Sequence, residues 1–136
     1  MAKFSPDPVA SGPAIRGISG GGFRIDDQLY PDGALLTPEA ATAWTAPAIE
    51  ALDLAALGDL LERRPAPEFL LLGTGAALRR PSPAFARSVD AKGLGLEVMD
   101  SRAAARAWGV LRAEGREIVA ALMPLDRYDH PSLRGA

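Results

Sequence analysis

Apolar residues in the C-terminal two-thirds of the chain concentrate in three short runs, separated by stretches with helical spacing. Glu68–Leu72 is the first, as expected of a central strand buried on both faces. Leu94–Met99 is the second and Arg116–Leu122 the third. Between the first two, Ser82-Pro83 pairs a capping hydroxyl with proline at a first helical position and predicts a helix over Pro83–Ala91, closed by Gly93. Between the second and third, Asp100 or Ser101 caps a helix that runs to about Glu114, with Gly115 closing it. Strand–helix–strand units of this length join parallel strands by right-handed crossovers. Parallel pairing of all three strands within one sheet is therefore expected.

The N-terminal part is read more coarsely. Ala14–Ile18 forms a short strand and Gly20-Gly21-Gly22 a turn. Phe23–Tyr30 alternates weakly, with a bend at Asp26-Asp27. Pro31-Asp32-Gly33 is a turn signal, and Gly33–Thr37 reads as the return strand of a hairpin. Ala40–Thr45 is ambiguous, with Trp44 a core plug. Asp53 looks like the N-cap of a helix over Leu54–Arg64, with Leu54, Leu57, Leu60 and Leu61 on one face and Pro65 as the stop. The expected whole is a three-layer α/β domain over residues 13–125 with a mixed, partly parallel central sheet. A flexible N-terminus (1–12) rich in Pro, Ser and Ala precedes it, and a polar tail (126–136) follows.

Composition narrows the function classes. The chain has 136 residues, 48% of them apolar, a size and content that suit one real core. A net charge of −2 implies no bulk attraction to nucleic acid or to an anionic membrane. No apolar stretch is long enough to span a bilayer, and the N-terminus lacks the apolar segment of a secretory signal. Cysteine is absent, which excludes thiol catalysis, thiolate metal sites and disulfides. The basic residues are 13 Arg and 2 Lys, a bias read as that of a GC-rich bacterial genome, with the cytoplasm as default location.

Candidate chemistry concentrates where strands end. Gly73-Thr74-Gly75 leaves the first parallel strand, the position where open α/β sheets bind ligands. It is not a dinucleotide fingerprint, because position 78 is Leu and Arg79, Arg80 and Pro81 delay the helix whose amides would meet a pyrophosphate. No lysine follows, so it is no P-loop either. Asp100 and Ser101 leave the second strand. They serve as a helix cap, or they line one crevice with Gly73–Gly75, with Arg79, Arg80 and Arg102 supplying positive charge for a small anion. Glu97, inside the second strand, calls for a partner if buried, and Arg116 on the third is the candidate for a structural ion pair. The lone histidine, His130, sits in the polar tail, a poor place for a catalytic base. Gly109 lies mid-helix, where it is unfavourable, which suggests close packing by the sheet or another subunit. No catalytic residue, metal site or cofactor is assigned.

At LLLGTG and at LEVMDSRAAARAWGVLRAEGREIVAAL the chain resembles a family of small α/β domains of unknown function. That family includes mitochondrial respiratory complex I assembly factor 3 and many bacterial and archaeal proteins. The likeness runs from about Ala14 to Leu125. Its pattern is a strand, a Gly-Thr-Gly turn, a Glu-x-Met-Asp-Thr strand end, an Ala-rich helix and Glu-Gly-Arg before the last strand. This chain has Ser101 where threonine is usual, and Ala105, Trp108 and Gly109 where the family often has Cys, Tyr and Asn. The resemblance implies a three-layer fold, no established enzymatic activity and, for mitochondrial members, complex I assembly through protein contacts.

Two functions are in view. One is a non-catalytic assembly or interaction factor, its protein partner unknown and a homodimer one option. The other is a small-anion or metabolite-binding protein or enzyme that uses the strand-end crevice. The missing nucleophile–base pair favours the first.

Overall fold

The computed structural model describes residues 11–125. Residues 1–10 and 126–136, which hold most of the N-terminal stretch, the polar tail and His130, lie outside the described residues. Among the described residues, eight strands and two α-helices follow one another: β1 (Ile15–Ser19), β2 (Gly22–Ile25), β3 (Gln28–Tyr30), β4 (Ala34–Leu36), β5 (Ala41–Ala43), β6 (Phe69–Gly73), α1 (Pro83–Ala91), β7 (Gly95–Met99), α2 (Ser101–Ala113) and β8 (Val119–Leu122). The first three form a small antiparallel sheet, and the other five a mixed sheet in the order β5-β4-β8-β6-β7.

The expected parallel trio is present: β6 pairs in parallel with β7 on one side and β8 on the other. Right-handed crossovers that run in opposite directions across a sheet must put their helices on opposite faces. The side chains agree, because successive residues of a strand face opposite ways. Leu70, Leu72, Val119 and Ala121 pack with Phe85 and Val89 of α1. Leu71, Ala120 and Leu122 pack with Ala104 and Trp108 of α2 and with Phe23 and Ile25 of the small sheet. The fold is thus three-layered, with α1 and the segment before β6 on one side, and α2 and the small sheet on the other.

Both helices start where the sequence says. Ser82 Oγ accepts from Phe85 N at 3.1 Å, with proline beginning the first turn. At α2 the cap is Asp100, whose carboxylate accepts from Ala103 N at 2.9 Å, so Ser101 is the first helical residue. Its hydroxyl is left for other work.

Two expectations are corrected. The helix over Leu54–Arg64 is replaced by a 3-10 turn, Leu54–Leu57, and irregular turns, with another 3-10 turn, Ile49–Ala51, just before it. Asp53 does cap Leu54–Leu57, accepting from Ala56 N at 3.0 Å. Gly58 then takes φ +60°, outside the right-handed helical region, and short i→i+3 bonds continue from Leu57 to Leu60 and from Asp59 to Glu62. The leucine spacing reports the inward side but not the period of the backbone: Leu57, Leu60 and Leu61 are buried, and Leu54 is partly buried against the same cluster. The bend expected at Asp26-Asp27 is present, as the turn of a hairpin, β2–β3, with Asp26 at φ +52°. Aspartate tolerates that region, and its carboxylate also accepts from Ala14 N at 3.1 Å. The second correction is that Pro31-Asp32-Gly33 does not close a hairpin. It carries the chain between sheets, and β4 pairs antiparallel with β5 and β8. Trp44 is buried as expected, its indole N–H donating to Ala56 O at 2.8 Å.

The Glu97–Arg116 ion pair is also overturned. Glu97 is exposed on β7, an edge strand, and needs no buried partner. Arg116 instead donates from Nε to Glu68 at 2.7 Å and lies over the Phe69 ring. The side-chain bond from Arg116, and then Glu117 N–H, hold the Glu68 carboxyl below its usual range. A lowered carboxylate pKa stabilises the fold above the ordinary glutamate range and loses that contribution as pH falls through the folded value. Glu68→Gln should therefore lower the melting temperature slightly at pH 7, and the gap between parent and variant should shrink as pH falls through and below the ordinary glutamate range. A melting-temperature gap unchanged across that range would contradict the assignment.

Candidate functional site

The strand order β7-β6-β8 reverses direction at β6, and a crevice is expected outside the carboxyl ends of strands at such a point. A cleft of about 330 Å³ lies there. Thr74, Gly75, Ala76, Ala77 and Arg79 form one wall, Met123, Pro124 and Leu125 another, and Ala48, Ile49 and Glu50 complete it.

Behind this cleft the ends of β6, β7 and β8 are joined through one hydroxyl. Ser101 is fully buried. Its Oγ accepts from Gly75 N at 2.8 Å and donates to Met123 O at 2.7 Å. Backbone bonds reinforce the junction: Ser101 N to Gly75 O at 2.8 Å, Thr74 N to Met99 O at 2.9 Å, and Met123 N to Gly73 O at 2.9 Å. Gly75 sits at φ +99°, where a side chain is strained, and a Cβ there would press on Pro124 O at 3.2 Å. Thr74 is almost fully buried, and its hydroxyl donates to Ala77 O at 2.7 Å and accepts from Arg79 N at 3.0 Å. Both hydroxyls singled out in the sequence are thus occupied in holding loops.

The proposed crevice set separates in space. Thr74 and Gly75 line the cleft, with Arg79. Gly73, Asp100 and Ser101 do not: Gly73 is packed beneath α2, Asp100 caps the helix, and Ser101 faces inward. Arg79 is 3.8 Å from Glu50 Oε2, so the cleft's cation has an anion of its own beside it. Arg80 borders a different depression, beside α1 and β7. Among the described residues, no three histidine or acidic side chains converge as a metal-binding group.

Arg102 lies elsewhere, in a groove of about 410 Å³ between α2 and β1. Arg16 and Arg106 line it too. Sequence reading misses this arginine cluster. The Arg102/Arg106 spacing of four is visible there, but only the fold brings β1 alongside. Gly109 borders the same groove, exposed, with nothing within 4 Å of where a Cβ would stand. The expected close packing at this glycine is therefore absent among the described residues. Gly109→Ala should stabilise the domain by about 0.5–1 kcal/mol, the ordinary helix-propensity gain, read as a higher urea midpoint at unchanged slope.

These features define a small three-layer α/β domain whose strand-end loops are locked by a buried serine. The chain belongs to the family of proteins of unknown function DUF498/DUF598, whose model matches residues 15–123. It is 36% identical over 125 residues to an uncharacterised protein of Rhodobacter capsulatus, covering 92% of this chain and 94% of the other. It is 28% identical over 110 residues to NADH dehydrogenase [ubiquinone] 1 alpha subcomplex assembly factor 3 of Xenopus tropicalis, a match to 81% of this chain and 60% of the frog protein. The solution structure of a Bordetella pertussis protein, an Mth938-like domain, superposes with a TM-score of 0.73 at 25% identity, covering 92% of each chain. No helix among the described residues is long and apolar enough to cross a membrane.

Proposed function

We propose that this protein is a non-catalytic interaction factor that assists assembly of a multisubunit complex, with respiratory complex I as the first candidate and the cytoplasm as its place of action. The observation that carries this reading is the similarity to the frog assembly factor, which spans 81% of the chain. The strand-end geometry supports it. Ser101 and Thr74 spend their hydroxyls on backbone groups, and neither is placed as an activated nucleophile, which would need a base within hydrogen-bond reach. The test is deletion of the gene in the source cells, followed by native gel separation of membrane complexes. Loss of assembled NADH dehydrogenase, with accumulation of a subassembly, is expected. Normal assembly, together with no enrichment of its subunits among proteins cross-linked to the tagged chain, would refute the proposal.

A further inference from the structure

The groove between α2 and β1 joins features that the strand-end cleft lacks. Arg16, Arg102 and Arg106 line it, all three exposed. None forms an ion pair among the described residues. Arg102 and Arg106 are one helical turn apart, where like charges repel and destabilise the helix. This local concentration stands out on a chain whose net charge is −2.

Beside the arginines runs an open strand edge. β1 pairs only with β2, and the other edge of Ile15–Ser19 has no backbone partner among the described residues. Such an edge presents unmet N–H and C=O groups, a template for a further strand. The walls leave room for one, because Gly17 and Gly109 both face open space. Val110, 59% exposed and one turn beyond Arg106, gives the same helix face an apolar contact.

Resting on the interaction-factor reading, we infer that this groove captures an extended acidic segment of a partner protein, which adds as a strand to the β1 edge and sets its carboxylates on Arg16, Arg102 and Arg106. Backbone pairing supplies affinity in such strand addition, and side chains set specificity. Arginine forks suit carboxylates. A second copy of this chain fits poorly, since two-fold pairing of β1 with β1 would oppose two arginine clusters. A nucleic acid would satisfy the arginines but not the peptide edge.

The experiment uses the full chain and a fluorescein-labelled peptide of about eight residues alternating Glu and Val, with its Gln–Val counterpart, in anisotropy titrations at physiological salt. The acidic peptide should bind at least about tenfold more tightly than the neutral one, and R102Q/R106Q should weaken it about tenfold without lowering the melting temperature. Amide exchange at Ile15–Ser19 should slow when the acidic peptide is bound, a signature that charge attraction alone does not give. Equal affinity for the two peptides, indifference to R102Q/R106Q, unprotected β1 amides, or preference for an oligothymidylate of equal charge would each overturn the inference. Its failure is distinguishable from that of the assembly role. If gene deletion impairs complex assembly and R102Q/R106Q restores it as fully as the parent, the assembly role stands and the groove is not its docking surface.

Discussion

Replacing Ser101 by alanine is expected to cost about 2–4 kcal/mol, the largest loss expected of any single substitution at the strand ends. The hydroxyl is fully buried and makes two bonds, to Gly75 N at 2.8 Å and to Met123 O at 2.7 Å. Alanine leaves a buried donor and a buried acceptor without that partner, at about 1–3 kcal/mol for each group stranded. Partial relaxation of the loops, or entry of a water, keeps the sum below the maximum. The loss should appear as a lower urea midpoint at unchanged slope. Threonine retains the hydroxyl and should fall between alanine and the parent. If Ser101→Ala unfolds at the parent's midpoint, the three strand ends are held by their backbone bonds alone.

The parallel arrangement of three strands is legible in the sequence because each is bounded by signals with a local cause: a capping serine, a capping aspartate and prolines. Features without a local cause come out differently. The leucines of 54–61 have helical spacing, yet a 3-10 turn and a glycine at φ +60° deliver the same residues to the core. Hydrophobic periodicity reports which side is buried, and several backbones can satisfy it. Strands β3 and β4 look like a hairpin because a turn signal lies between two apolar runs. Which sheet each strand joins is decided by partners far along the chain, here β8.

The site shows the same division. Asp100 is legible as a cap from its place after a strand. The inward bridge made by Ser101 is not, since both of its partners lie more than twenty residues away. Pairing Glu97 with Arg116 presumes that the glutamate's strand is interior. In the sheet β7 is an edge, so the carboxylate has solvent, and Arg116 turns to Glu68. The grouping of Arg16 with Arg102 and Arg106 is wholly tertiary.

Gly73→Ala should destabilise by about 1–3 kcal/mol, and the loss should depend on residue 101. A Cβ at Gly73 would stand 2.9 Å from Ser101 Oγ, 3.1 Å from Ala104 Cβ and 3.1 Å from Leu122 Cδ2. The first neighbour cannot retreat without loosening the bridge between Gly75 and Met123, and the other two are in the core beneath α2. The added methyl therefore acts twice, by crowding the core and by straining two hydrogen bonds. In a Ser101→Ala background only the crowding remains, so Gly73→Ala should cost less there than in the parent. A double-mutant cycle on urea midpoints measures the difference. Strict additivity would mean that the methyl is accommodated by shifting α2 as a whole, with the serine bridge intact. Gly20→Ala is the control for backbone strain without crowding: φ there is +58°, and nothing lies within 4 Å of where its Cβ would stand. That loss should be about 1 kcal/mol and independent of residue 101.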